Sequence, residues 1–196
     1  MKRLRHRPGS IFFLVCSFFV LSCNQTYYKA DHIDKSVVAH RGMVVSAHAL
    51  ASEVGVKILK KGGNAVDAAV ASQFALAVVY PRAGNIGGGG FMLIRTEEGN
   101  YSCLDYREKA PGMANKDMYL RPDGSVIDSA SIFGALAVGV PGTVDGLISA
   151  WEKFGQIRDF GKIIEPSIEF ARKGFAISQE EADRLNQYKK IGRASC

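Results

Sequence analysis

The chain of 196 residues is poor in the residue types that several familiar chemistries require. It has four cysteines, Cys16, Cys23, Cys103 and Cys196, too few and too dispersed for a disulfide framework. It also has only four histidines, His6, His32, His40 and His48, and none falls in a spaced ligand motif such as His-Glu-x-x-His. Neither a metal nor a cofactor is therefore expected, and His40 and His48, which flank a short β-prone stretch, suit structural roles. No Gly-x-Ser-x-Gly elbow is present, so serine–histidine–aspartate hydrolysis finds no support. No apolar run reaches the roughly 20 residues of a membrane-spanning helix. There is no basic stripe interleaved with aromatics, which argues against a nucleic-acid partner. Internal repeats and low-complexity linkers are missing too. What remains is 47% hydrophobic and 22% charged, the composition of a globular chain.

The first residues differ from the rest. Lys2, Arg3, Arg5 and Arg7 form a basic start without acids, and the 11-residue apolar run from Ile11 to Leu21 follows. This is the pattern of a secretory signal peptide over residues 1–22. Val20-Leu21-Ser22-Cys23 resembles a bacterial lipobox, so Cys23 is expected to be the lipidated first residue of an exported, periplasmic or membrane-anchored protein. Residues 23–35 read as a polar tether. Removing the leader takes four basic residues and no acidic one, so the formal net charge falls from +6 to +2.

Regular structure is expected from residue 36. Val37-Val38-Ala39 and Met43-Val44-Val45 are short β-prone runs. Leu50, Val54 and Ile58, together with Ala51, Gly55 and Leu59, make one apolar helical stripe, with Lys57, Lys60 and Lys61 late in the helix and Gly62-Gly63 as its stop. Asn64 is suited to cap a second helix, Ala65 to Val79, which is apolar nearly all round and so is expected to be buried on several sides. Phe91–Thr96 and Tyr101–Tyr106 read as a hairpin about the turn Glu97-Glu98-Gly99-Asn100. Further helices are expected over 144–154, 161–172 and 179–190.

Between the second helix and the hairpin lies Gly84-Asn85-Ile86-Gly87-Gly88-Gly89-Gly90. Phosphate-binding glycine loops follow a strand and open a helix; this run follows a helix and opens a strand, and no Lys-Ser or Lys-Thr follows it. A tight passage where backbone packs on backbone is the better reading. Arg107, just beyond the hairpin, carries a guanidinium fork that can hold a carboxylate by two parallel hydrogen bonds; the plainer alternative is pairing with Asp105 or Glu108. Thr143 follows Gly142 and is expected to cap the helix behind it.

Five segments in order resemble the γ-glutamyltranspeptidase (glutathione hydrolase) family: Met43–Ser52, Lys61–Ala69, Gly84–Phe91, Asp105–Pro111 and Ala137–Thr143. The resemblance covers residues 36–190, while 191–196 are atypical of a domain end. It implies an α+β fold, part of an αββα sandwich of the Ntn-hydrolase type, made as a precursor that cuts itself into a large and a small subunit. It further implies an N-terminal threonine nucleophile on the small subunit, γ-glutamyl compounds such as glutathione as donors, and water, amino acids or peptides as acceptors. Arg107 matches the arginine that holds the donor's α-carboxylate. Thr26, Thr96 and Thr143 stand in no context matching the nucleophile. The chain is accordingly expected to be the N-terminal part of a large subunit, inactive alone. A related cephalosporin or glutaryl acylase fragment, or a non-catalytic lipid-anchored binding module, are the other readings.

Overall fold

The computed structural model describes residues 37–187. The expected leader, tether, lipidated Cys23 and atypical terminus lie outside them. The chain divides after Val38, and the unit that begins at Ala39 holds every element named below. These are α1 (Ala49–Lys60), α2 (Ala65–Val79), β1 (Phe91–Arg95), β2 (Tyr101–Asp105), a 3₁₀ turn (Ala135–Ala137), α3 (Thr143–Phe154), α4 (Phe160–Lys173) and α5 (Gln179–Gln187).

Helix α1 begins where His48 Nδ1 accepts the N–H of Leu50 at 3.2 Å. It ends at Gly62, whose φ of +90° is the left-handed conformation a helix stop favours, with Gly62 N–H donating to Leu59 O and Gly63 N–H to Ile58 O. Helix α2 opens with a reciprocal capping box: Asn64 Oδ1 accepts from Val66 N and Asp67 N, and Asp67 Oδ2 accepts from Asn64 N at 2.9 Å. As its all-round apolar character predicts, α2 is central and packs on α1, α3 and α4. Val54 and Ile58 of α1, Val70, Ala71 and Ala75 of α2, Leu147 of α3 and Ile163 of α4 are all buried in one core. Burying each large aliphatic side chain contributes about 1.5–3 kcal/mol. Gly55 lets α1 approach α2 closely, since a Cβ there would stand 2.5 Å from Ser72 Oγ.

The hairpin is antiparallel with Phe91 opposite Asp105, Leu93 opposite Cys103 and Arg95 opposite Tyr101. Its alternation places Met92, Ile94 and Leu104 against the helices. The opposite face leaves Phe91, Leu93 and Tyr101 exposed. Between β2 and α3 the chain makes a long irregular excursion whose two ends are joined by a β-bridge between Lys109 and Val140.

Two expectations need correction. Neither β-prone run, 37–39 or 43–45, is a strand: an extended segment becomes a strand only beside a hydrogen-bonding partner, and among the described residues the one sheet is the hairpin. Val44 instead packs its side chain against the helical core. Thr143 does not cap α3; Gly142 holds the cap position and Thr143 is the buried first helical residue. The last helix is described as far as Gln187, and the remainder of the expected 179–190 span lies outside the described residues.

Candidate active site

Arg107 stands two residues past the end of β2, at a junction of three main-chain segments. On one side the hairpin is extended by a further pair of bonds, Tyr106 N–H to Gly90 O at 3.0 Å and Gly90 N–H to Tyr106 O at 3.3 Å. On the other, Lys109 and Val140 exchange N–H···O bonds of 3.1 and 2.8 Å. The glycine run and the start of α3 are joined directly, because Gly88 O accepts from Gly142 N at 2.8 Å and Thr143 N at 3.0 Å. Asp105 Oδ1 accepts the N–H of Arg107 itself at 3.0 Å.

Packing at this junction leaves no room for side chains. A Cβ on Gly89 would lie 2.5 Å from Tyr106 O and 2.8 Å from Arg107 Cα, and one on Gly142 would lie 2.2 Å from Tyr106 O. A Cβ on Gly146 would meet Tyr106 Cγ at 2.2 Å. None of Gly84, Gly87, Gly88, Gly89 or Gly90 has a positive φ. Where these glycines are required, as at Gly84 and Gly89, it is for space and not for an unusual backbone angle, as the reading of a tight backbone passage anticipated.

The guanidinium itself is loosely held. Arg107 Nη2 lies 3.1 Å from Glu108 Oε2, and the Arg107 side chain is 56% exposed. Glu108 Oε2 is nevertheless buried without a hydrogen-bond partner, so the contact is an ion pair at close range and not an aligned hydrogen bond. With its arginine more than half exposed, such a pair is worth about 0–1 kcal/mol, which a bidentate carboxylate ligand can outweigh. The plainer alternative for Arg107, pairing with its neighbours, is thus present but weak. Burial pushes the Tyr106 phenol above its ordinary range. Its hydroxyl donates to Phe91 O at 3.4 Å.

The other candidates lie elsewhere. His48 caps α1 and His40 is exposed in an irregular segment. Among the described residues no three of His, Cys, Asp and Glu converge as a metal site. Two features went unread in the sequence. One is the pair Gly142 and Gly146, whose spacing of four puts both on one helix face and was the available signal for a close approach. The other is Asp67, fully buried, whose Oδ2 also accepts from Gln156 N at 2.9 Å and Ile157 N at 3.2 Å.

The chain as a whole has counterparts among known proteins. Residues 51–194 match the family described as Gamma-glutamyltranspeptidase. The chain is 56% identical over 149 residues to the glutathione hydrolase proenzyme of Pseudomonas sp. (strain A14), covering 76% of this chain and 26% of that protein. It is 47% identical over 163 residues to the glutathione hydrolase proenzyme of Escherichia coli (strain K12), covering 83% and 28%. It therefore spans about a quarter of the length of these curated relatives. The crystal structure of Helicobacter pylori gamma-glutamyltranspeptidase superposes with a TM-score of 0.72 at 48% identity, over 79% of this chain and 44% of that one. With a match over most of its length and this agreement of fold and sequence, the chain belongs to the gamma-glutamyltranspeptidase family.

Proposed function

We propose that the chain is the donor-orienting part of an enzyme that cleaves γ-glutamyl amides such as glutathione and passes the glutamyl group to water, an amino acid or a peptide. Arg107 holds the donor's α-carboxylate in this reading. The observation that carries it is the combination at Arg107 of a tightly packed main chain with an exposed, weakly paired guanidinium. A fork so placed can bind two carboxylate oxygens without rearranging the backbone.

The chemistry itself uses an N-terminal threonine of the small subunit released from the same precursor. Its hydroxyl oxygen attacks the γ-carbonyl carbon, its own α-amine takes the hydroxyl proton, and the C–N bond breaks as the leaving amine is protonated. Water or an acceptor amine then displaces the threonine ester. Covalent catalysis divides one difficult acyl transfer into two easier ones. Thr143 is unsuited to that part, because it is 2% exposed in the first turn of α3. The chain's own task is to fix the carboxylate end of the donor so that its γ-carbonyl lies at the nucleophile.

The exposed face of the hairpin, with Phe91, Leu93 and Tyr101, is in this reading the inner face of one layer of an αββα sandwich, covered by the sheet of the small subunit. Export fits the basic and apolar start of the sequence. Glutaryl and γ-glutamyl groups share the terminal carboxylate and differ in the α-amine, so Arg107 serves either; the Asp105-x-Arg107-Glu108 context favours glutamyl.

The test is steady-state kinetics of the full-length precursor bearing Arg107→Gln. KM for a γ-glutamyl anilide should rise about 100-fold, the scale of a lost charged hydrogen-bonded pair. An unchanged KM would remove Arg107 from the donor site.

A further inference from the structure

We infer that Gly89 and Gly142 are positioning residues that aim Arg107 by clamping its main chain from two sides. The inference rests on the reading of Arg107 as the carboxylate fork. Its basis is a mismatch within the site. The Arg107 side chain has several rotatable bonds, is 56% exposed and is restrained by one ion pair, so its side-chain contacts do not set its direction. The direction comes from where its Cα and Cα–Cβ bond point, and that is fixed by the backbone.

The two glycines belong to different segments and press on the same peptide units. From the glycine run, a Cβ on Gly89 would stand 2.5 Å from Tyr106 O, 2.7 Å from Glu108 N and 2.8 Å from Arg107 Cα. From the head of α3, a Cβ on Gly142 would stand 2.2 Å from Tyr106 O and 3.2 Å from Arg107 O. The segments are also bonded to each other through Gly88 O, so neither side of the clamp can retreat independently. The three nearest atoms at each glycine are all main chain, which cannot rotate away as a side chain can. An added methyl group at either place therefore displaces Arg107. Gly87 is the natural control: it lies in the same run, and a Cβ there meets nothing within 4 Å.

The experiment compares Gly89→Ala, Gly142→Ala and Gly87→Ala in the full-length precursor, each assayed with a γ-glutamyl anilide and with the 4-aminobutyryl anilide that lacks the α-carboxylate. Gly89→Ala and Gly142→Ala should raise KM for the glutamyl donor by roughly 10- to 100-fold, the scale of a misplacement near 1 Å. They should leave kinetics on the decarboxylated donor within about twofold, and Gly87→Ala should resemble the parent with both donors. A purely structural role predicts equal losses on the two donors, and that result, or an unchanged KM, overturns the inference. If neither clamp variant yields processed enzyme, Gly90→Ala carries the test. Its methyl would come nearest to the Tyr106 side chain, at 2.9 Å from Cε2 and 3.3 Å from the hydroxyl, and a smaller shift confined to the glutamyl donor is expected. Should Gly90→Ala affect both donors alike or neither, the clamp is refuted. Arg107→Gln, run alongside, separates the levels: if it does not abolish the preference for the glutamyl donor, the carboxylate role of Arg107 fails and the clamp falls with it.

Discussion

Removing the Asp67 carboxylate should damage the fold more than removing any exposed charge. Asp67 is 0% exposed, and its Oδ2 accepts three main-chain N–H groups, from Asn64, Gln156 and Ile157. It thereby joins the first turn of α2 to the connection between α3 and α4, some 90 residues away in sequence. Asp67→Ala leaves all three donors without their acceptor. At about 1–3 kcal/mol for each unsatisfied buried group, discounted because residues 156 and 157 can reach water, the total should be about 3–5 kcal/mol. That is a large part of the roughly 5–15 kcal/mol by which a domain is stable. Asp67→Asn keeps an acceptor oxygen in place but loses the charge assistance and sets an amide NH2 where the buried Oδ1 has no partner, so about 2–3 kcal/mol, less than for alanine, is expected. Urea unfolding of both variants measures the two values. Trp151, the chain's one tryptophan, supplies a local probe, because its Nε1–H donates to Ile157 O at 2.6 Å in the same connection. Its emission should move to longer wavelength in Asp67→Ala before global unfolding. A loss below about 1 kcal/mol with unchanged emission, or a greater loss for Asn than for Ala, would refute the assignment of Asp67 as the staple.

Other outcomes follow from the same geometry. Gly155→Ala would place a Cβ 2.5 Å from Trp151 O and 2.7 Å from Asp67 Oδ1; overpacking there should cost about 1–3 kcal/mol in thermal or urea unfolding. Ile163→Ala, at a fully buried position, should cost about 2–5 kcal/mol by the same measurement. Burial raises the Tyr106 phenol, so the folded chain keeps that proton to higher pH than the unfolded chain. Its contribution is complete below about pH 10 and is lost as pH rises through the folded value. Tyr106→Phe should therefore flatten the alkaline loss of stability between about pH 9 and 11. Cys103 is exposed on the outer hairpin face beside Leu93; iodoacetamide should modify it readily in this chain and slowly in the processed two-subunit enzyme. Equal rates in both would count against a second sheet on that face.

How far the sequence could be read depended on the range of the interactions. Asn64 followed by Asp67 declares a helix start locally, and the near-continuous apolar run behind it declares a helix with no solvent face; both are satisfied within a few residues. The hairpin likewise announces itself by two β-prone runs around Gly99, whose φ of +87° the turn uses. Met43-Val44-Val45 has the same local preference and no partner strand among the described residues, so Val44 packs on the helical core instead while Met43 and Val45 stay exposed. The bonds from Asp67 to Gln156 and Ile157 span most of the unit, and no local pattern encodes them. Thr143 misled for a related reason. A threonine after glycine resembles a cap, but a Cβ at the cap position would lie 2.2 Å from Tyr106 O, so only glycine fits there and threonine stands one place into the helix.

On the proposed reading of Arg107, the same contrast joins motif to mechanism. A carboxylate fork needs a direction more than it needs partners, because every fixed partner of a guanidinium is a competitor for the ligand. Stiffening the side chain with strong ion pairs would hold it still and occupy it. Stiffening the main chain beneath it, by removing the side chains at Gly89 and Gly142, holds the root and leaves the head available. If the proposal holds, an arginine among glycines is a functional pattern. Its expected mark is selective: substitution of the glycines weakens donors that carry the carboxylate and spares those that lack it.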